Sequence, residues 1–424
     1  MVDTIAARKH PDYPLLTVIG IMVPLGVIMV YSASFVDAYN NHKDQMYYTW
    51  RQLIAALIGI GAMFVVQRLD YRIWRRFSIH LSLGTLFLLL LVLVLPASMT
   101  TVNDAKSWIR IGPFSMQPSE IAKLTMVIYF ADWLSRRGSK VANVTYGLIP
   151  FGLMLGVVCG LVMLGHDLGT TVVLIVIAAT VYFAAGASLL HIAGAGALAA
   201  MGFWGAIQIA SYRMERIAAW LDPFGHILGA GYQPVHALYA LGSGGLFGVG
   251  LGQGRQKFLW LPQSHTDAIF AVIGEEFGLI GTLFIVTCFV IIAYRGMRIA
   301  GRAPEPFAAL LAIGLTSWLV FQALINIAVV TSLLPFTGLT LPLVSYGGTS
   351  LVFNLVAVGI LLSISRSMSD TPTAEREDVV ATARRDTAEF ADTVGVWWRD
   401  GRSRLSGAVG RRRAQKSWSR LRKR

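Results

Sequence analysis

Apolar blocks long enough to cross a bilayer recur along this chain, 15–35 and 77–95 being the clearest. A helix needs ~20 such residues to span the hydrocarbon core. One soluble domain can bury a helix of that kind, but it has no use for a long succession of them. Charged residues make up only 14% of the chain and hydrophobic ones 55%, against about 25% charged in ordinary soluble domains. The expected fold is an all-α polytopic membrane protein with about ten transmembrane helices. The spans run near 15–35, 50–66, 77–95, 119–134, 146–164, 168–185, 189–210, 268–294, 307–330 and 349–364. Pro24 should kink the first.

Basic residues orient the bundle. Arg68, Arg72, Arg75 and Arg76 crowd the connection after the second span. Arg136, Arg137 and Lys140 follow the fourth, and Arg295, Arg298 and Arg302 follow the eighth. With ten spans all of these fall on one side, which the positive-inside rule makes the cytoplasm. Both termini are then cytoplasmic: 1–14 at the start and a basic tail, 366–424, at the end. The tail carries 15 Lys+Arg against 8 Asp+Glu and is expected to be disordered. Beside so many spans it suits membrane lipids of the anionic leaflet better than nucleic acid. Cys159 and Cys288 lie inside apolar blocks, where they read as packing residues. The first apolar block is too long for a signal-peptide core, and no small-residue cleavage site clearly follows it.

The outer side receives 36–49, 96–118, 211–267 and 331–348. The long extracytoplasmic loop 211–267, between helices seven and eight, is rich in Gly, aromatics and single charges. Loops of this length are often functional. Gly242 to Gly254 is glycine-rich but has no P-loop Gly-Lys-Ser/Thr ending, so nucleotide binding is not supported.

The densest polar segment is Leu261-Pro-Gln-Ser-His-Thr-Asp-Ala-Ile-Phe-Ala-Val-Ile-Gly-Glu-Glu-Phe-Gly278. Asp267 stands where the loop enters an apolar helix; it reads either as a helix N-cap or as a catalytic acid or base. His265 and Thr266 flank it. Glu275 and Glu276, about two turns into a membrane helix, need a polar cavity or a partner. A second cluster runs from Trp108 to Lys123. Trp108 is an interfacial anchor or a substrate contact, and Arg110 on the outer side suits an anion. Glu120 and Lys123 share a helix face, so pairing competes with a ligand role. Asp167, Arg213, Arg216 and Lys257 are further candidates. Ser345, Tyr346, Gly347 and Gly348 lie in a Pro/Gly break before the last span, tolerated where backbone lines a cavity or is buried.

Five pieces in this order carry a family resemblance: Gly112-Pro-Phe-Ser-Met-Gln-Pro-Ser-Glu-Ile-Ala-Lys123, Asp167-Leu-Gly169, Ala240-Leu-Gly-Ser-Gly-Gly245, 261–278, and Pro342-Leu-Val-Ser-Tyr-Gly-Gly348. Over about 14–366 the chain resembles the SEDS family, whose members include FtsW, RodA and SpoVE. The resemblance implies a ten-helix domain, 15–365, and a peptidoglycan glycosyltransferase that joins lipid II, the undecaprenyl-pyrophosphate-linked disaccharide peptide. It gives Asp267 the essential catalytic role, fitting a general base on the acceptor hydroxyl. Arg110, Lys123, Arg216 and Lys257 become candidates to meet the diphosphate charge. No cofactor is demanded. A divalent cation, Mg or Mn, would contact Asp267. The implied partners are a class B penicillin-binding protein transpeptidase and other divisome proteins, with the chain in the bacterial inner membrane at the division septum. No Ser-x-x-Lys transpeptidase set is present in this chain to crosslink. A RodA-like elongation polymerase is the alternative within the family, and a lipid II flippase or transporter is the alternative outside it. The chain departs from the family pattern at Gln263, where Glu is frequent, and at His166, where Pro is frequent.

Overall fold

The computed structural model describes residues 10–102, 105–111, 114–209 and 211–368. The expectations attached to the tail beyond Met368 and to residues 1–9 lie outside the described residues. The helices are α1 Tyr13–His42, α2 Tyr47–Val66, α3 Arg72–Val94, the single turn α4 Ala97–Thr100, α5 Pro118–Ser135, α6 Ile149–Leu164, α7 Leu168–Ala184, α8 Leu189–Ile209, α9 Ser211–Leu221, α10 Tyr232–Gly244, α11 Ile269–Gly301, α12 Pro306–Val330 and α13 Gly348–Ser365. A helix stands at each of the ten expected spans. Among the described residues, seven are long and apolar enough to cross a membrane. The fourth span, α5, carries Glu120, Lys123 and Asp132, and all three are buried among neighbouring helices. Cys159 and Cys288 are free and buried.

The bundle packs α2 along α13, α11 along α12, α3 along α5 and α12 against α7. At one end the charged connections meet. Asp132 of α5 accepts from Ser78 Oγ at 2.7 Å, from Arg75 Nε at 3.2 Å and from Arg136 Nε at 2.7 Å. Glu305, which precedes α12, accepts from Arg72 Nε at 2.6 Å and from the Tyr71 hydroxyl at 3.1 Å. Asp12 caps α1 through Leu15 N–H at 3.0 Å, accepts from Arg295 Nε and takes the Ser365 Oγ as acceptor for its own N–H at 3.1 Å. The start of α1, the α2–α3 connection and the ends of α5, α11 and α13 therefore share one end of the bundle. Basic residues alone had assigned them to one side.

The opposite end holds the long connections. The 96–118 segment is more ordered than a loop. It contains two antiparallel hairpins, β1 Thr101–Val102 with β2 Ala105–Lys106, and β3 Ile109–Ile111 with β4 Phe114–Met116, with Arg110 opposite Ser115. The 211–267 segment likewise contains α9 and α10 rather than loop alone.

The eighth span differs most from expectation, because α11 is two helices joined at Gly278, where φ is +66°. Leu279 N–H donates to Gly245 O at 2.9 Å and Ile280 N–H to Leu246 O at 3.2 Å. In return Glu275 O and Glu276 O accept from Val249 and Gly250 N–H, both at 3.0 Å. The glycine-rich segment supplies the partners that the break removes, as a broken helix in a membrane protein requires. A Cβ on Gly278 would lie 2.4 Å from Gly248 N, so both φ and space demand glycine. Glu275 and Glu276 consequently sit in the short first half, Ile269 to Phe277, and not within a continuous membrane span.

Candidate active site

Asp267 lies two residues before α11 at the end that gathers the long connections. It does not cap the helix. Ala268 is the N-cap and makes no side-chain cap bond. Instead Asp267 Oδ2 faces Gln233 Nε2 of α10 at 3.5 Å, and Oδ1 lies 3.1 Å from Thr266 Oγ1. Gly338, in the left-handed region at φ +71°, brings the α12–α13 connection past Oδ2. The residue is buried, 7% exposed. Burial pushes its pKa up from 3.8 to about 6, against the opposing pull of its own N–H, Thr266, Gln233 and the Arg216 cation. A carboxylate held away from water and outside any ion pair with a described residue can take up a proton near neutral pH.

The backbone around Asp267 is tied to the 331–347 connection. Tyr346 N–H donates to His265 O at 2.9 Å, and Asn326 Nδ2 of α12 donates to Asp267 O at 2.8 Å and to Leu339 O at 2.6 Å. Gln52 of α2 holds the same connection from the far side: its Nε2 donates to Ser345 O at 3.0 Å and its Oε1 accepts Gly347 N–H at 3.3 Å. Gly26 of α1 lets that connection approach, since a Cβ there would stand 2.8 Å from Leu343 O. Ser345 Oγ accepts Leu341 N–H at 2.8 Å, and Gly348 opens α13.

Beside the loop stands an aromatic group. The His265 ring lies 4.4 Å from Tyr48 and 5.5 Å from Tyr346, centroid to centroid. Burial lowers the His265 pKa to about 4, with Asp37 pulling the other way, so the imidazole is neutral at pH 7. Burial raises the Tyr346 hydroxyl, opposed by the Arg51 guanidinium. Arg51 also lies 4.3 Å from the Tyr47 ring.

Several candidates serve other contacts. Lys257 is 2% exposed and donates to Glu276 Oε1 at 2.5 Å and to Ser32 Oγ at 3.0 Å; Ser32 Oγ in turn donates to Glu276. Glu275 Oε1 accepts Arg255 N–H at 2.7 Å. Both acids thus hold the 254–257 turn. Lys123 is fully buried, with Glu120 Oε1 and Gln322 Oε1 each at 2.7 Å and the Trp318 ring beneath it. Asp167 caps α7 through Thr170 N–H at 3.0 Å and accepts from Gln117 Nε2 and Ser119 Oγ at 2.9 Å. Trp108 is half-buried and its N–H donates to Thr100 O, while Arg110 is exposed on β3 and donates to Thr101 O at 3.1 Å. Arg216 is exposed on α9 and reaches Phe336 O at 3.3 Å. The Arg213 side chain lies outside the described residues.

The structure therefore gathers Thr266, Asp267, Arg216, His265, Tyr346 and the 345–348 backbone at one end. Lys123, Glu120, Lys257, Glu275 and Glu276 are buried and engaged with other partners. Gln233, Asn326, Gln322, Gln52, Tyr48, Arg51 and Ser32 were not anticipated. The amides Gln322 and Asn326, four apart in an apolar span, were the readable signal. The two departures have local settings. Gln263 Oε1 lies 2.9 Å from Thr266 Oγ1, and His166 has φ +62°, which a proline ring forbids.

Residues 13–370 match the FtsW/RodA/SpoVE model, described as "Cell cycle protein". Stage V sporulation protein E of Bacillus subtilis is 43% identical over 85% of this chain and 98% of its own. A protein of Geobacter sp. (strain M18) named a probable peptidoglycan glycosyltransferase FtsW is 41% identical over 84% and 97%. Among solved structures, a chain from a peptidoglycan synthase complex, studied for its coordination of polymerization and crosslinking, superposes with TM-score 0.69 at 28% identity, covering 85% of this chain and 99% of that one. The rod shape determining protein RodA of Thermus thermophilus superposes with TM-score 0.63 at 27% identity, covering 87% and 100%.

Proposed function

The chain belongs to the FtsW/RodA/SpoVE family, and from that membership we infer that it is a membrane-embedded peptidoglycan glycosyltransferase that polymerises lipid II. The observation that carries the reading at the level of residues is Asp267: a buried carboxylate, free of any ion pair with a described residue, raised to about 6 at the end that collects the long connections. In the reaction the acceptor sugar hydroxyl attacks C1 of the donor sugar. The bond from C1 to the diphosphate oxygen breaks with inversion, and undecaprenyl diphosphate leaves. The hydroxyl proton passes to Asp267, the general base. The leaving diphosphate needs cations on the same side. Arg216, exposed and close enough for Asp267 to feel its charge, is the first choice, with Arg110 and Arg51 behind it. Lys123 and Lys257 already have buried carboxylate partners. A divalent cation would rely on Asp267 and on the substrate diphosphate, because among the described residues no group of three His, Cys, Asp or Glu gathers to hold one.

Within the family the division role is the placement, supported by relatives of 41–43% identity named FtsW and stage V sporulation protein E. A class B penicillin-binding protein would crosslink the product, with the active face outside the cytoplasmic membrane and both termini inside. The test is polymer formation from labelled lipid II by the purified chain with its class B partner. Transbilayer movement of lipid II without polymer would replace the enzyme by a transporter.

A further inference from the structure

We propose that Asn326, in the last turns of α12, is a positioning residue: its amide sets the aim of Asp267 by holding the Asp267 carbonyl and the Leu339 carbonyl at once. The inference rests on the reading of Asp267 as the base. Asn326 is 1% exposed, one turn beyond the buried amide Gln322 on a mostly apolar helix. Its Nδ2 group donates one hydrogen to Asp267 O at 2.8 Å and the other to Leu339 O at 2.6 Å. The reverse orientation of the amide would set Oδ1 against two carbonyl oxygens, so the bonding pattern itself fixes the assignment. Oδ1 is left buried with no partner among the described residues. Both of its donated bonds go to backbone carbonyls of other segments. What it achieves is geometric: it joins the two strands of backbone that flank the carboxylate, the 261–268 loop and the 337–341 segment.

The surrounding contacts make this join the decisive one. The 331–347 connection is already anchored without Asn326, through Gln52 to Ser345 and Gly347 and through Gln322 Nε2 to Thr340 O at 2.9 Å. Tyr346 N–H fixes His265 O on the near side of Thr266. Asp267 follows a residue that makes only local contacts, Thr266, whose hydroxyl lies near Gln263 and Asp267 itself. Its own carboxylate partner, Gln233, stands at 3.5 Å. Asn326 is the contact that transmits the position of the anchored connection to the peptide of Asp267. A base misplaced by about 1 Å loses on the order of 10²-fold in rate, while the substrate's binding contacts elsewhere are untouched.

The experiment uses the purified full chain with its class B partner and lipid II as substrate. Asn326→Ala removes both donors, and Asn326→Ser retains one hydroxyl donor. The expected result is a graded loss of kcat, roughly 10²-fold for Ala and smaller for Ser, with KM for lipid II unchanged. Hydrogen exchange on the same proteins needs no activity. It should quicken in 263–268 and leave the rest of α12 as it was. Wild-type protein that makes no polymer would count against the glycosyltransferase reading, and hydrogen exchange would still decide the join. Normal kcat in Asn326→Ala overturns the proposal. So does a fall in kcat matched by a rise in KM, exchange that is unchanged in 263–268, or failure of both variants to give folded protein, since each makes Asn326 a packing residue.

Discussion

The buried pair Lys257–Glu276 gives a sharp separation between a strut and a substrate contact. Both side chains are fully buried, 2.5 Å apart, with Ser32 bonded to each. Lys257→Met strands the Glu276 carboxylate with only the Ser32 hydroxyl. Breaking a buried pair from one side costs about 3–5 kcal/mol. Solvent screening does not reduce that here, because neither group reaches water. The folding equilibrium constant should fall by about 10²–10⁴-fold. The double variant Lys257→Met/Glu276→Gln removes both charges and keeps an amide acceptor for Ser32, so most of the loss should return. Thermal unfolding of the four purified proteins gives the coupling energy. Polymerisation per folded molecule is measured in parallel. A strut predicts near-normal turnover in the double variant. A double variant that regains stability but makes no polymer would refute the reasoning and give Lys257 to the substrate.

Further outcomes follow from other contacts. The acid limb of the polymerisation rate should have its midpoint near 6, because Asp267 accepts a proton only when ionised and burial raises its pKa to about 6; rate falls as pH drops through that value, and a midpoint near 4 would contradict the buried base. His265, lowered to about 4, should add no titration between pH 6 and 8. Gly278→Ala forces a Cβ to within 2.4 Å of Gly248 N at φ +66° and should cost more than about 1 kcal/mol of stability, read as a lower unfolding temperature; an unchanged temperature would mean the break adapts freely. A cysteine at Ser243, in a chain with Cys159 and Cys288 replaced, should react with an impermeant reagent on intact cells. Labelling only after lysis would invert the topology.

The spans were legible because apolar length is a strong signal. The expected 119–134 and 349–364 became Pro118–Ser135 and Gly348–Ser365. The break in α11 was not legible. Gly278 is one glycine among several near the start of the apolar run 279–294, and a single positive φ leaves no trace in hydropathy. The glycine-rich 242–254 stretch was visible, but its partner across the break was not. Glu275 and Glu276 announced a need for polar partners. Ser32 lies 244 residues from Glu276, so only the fold could supply it. Asp267 was legible through its motif, whereas its setting was not: Gln233, Asn326 and Gly338 come from three other segments. The cations were the most ambiguous. Sequence places Lys123 and Lys257 beside the chemistry on equal terms with Arg216. Only burial separates the two paired lysines from the exposed arginine.

The claim that Asp267 is the base has a direct measurement. Asp267→Asn keeps the size of the side chain and removes a charge that burial disfavours, and since the carboxylate does not cap α11, the fold should persist with an unfolding temperature no lower than that of the unaltered protein. General-base catalysis contributes typically about 10²–10⁴-fold, so gel analysis of polymer from the purified variant with its class B partner should show no visible product. Near-normal polymer from a well-folded Asp267→Asn protein would contradict the account.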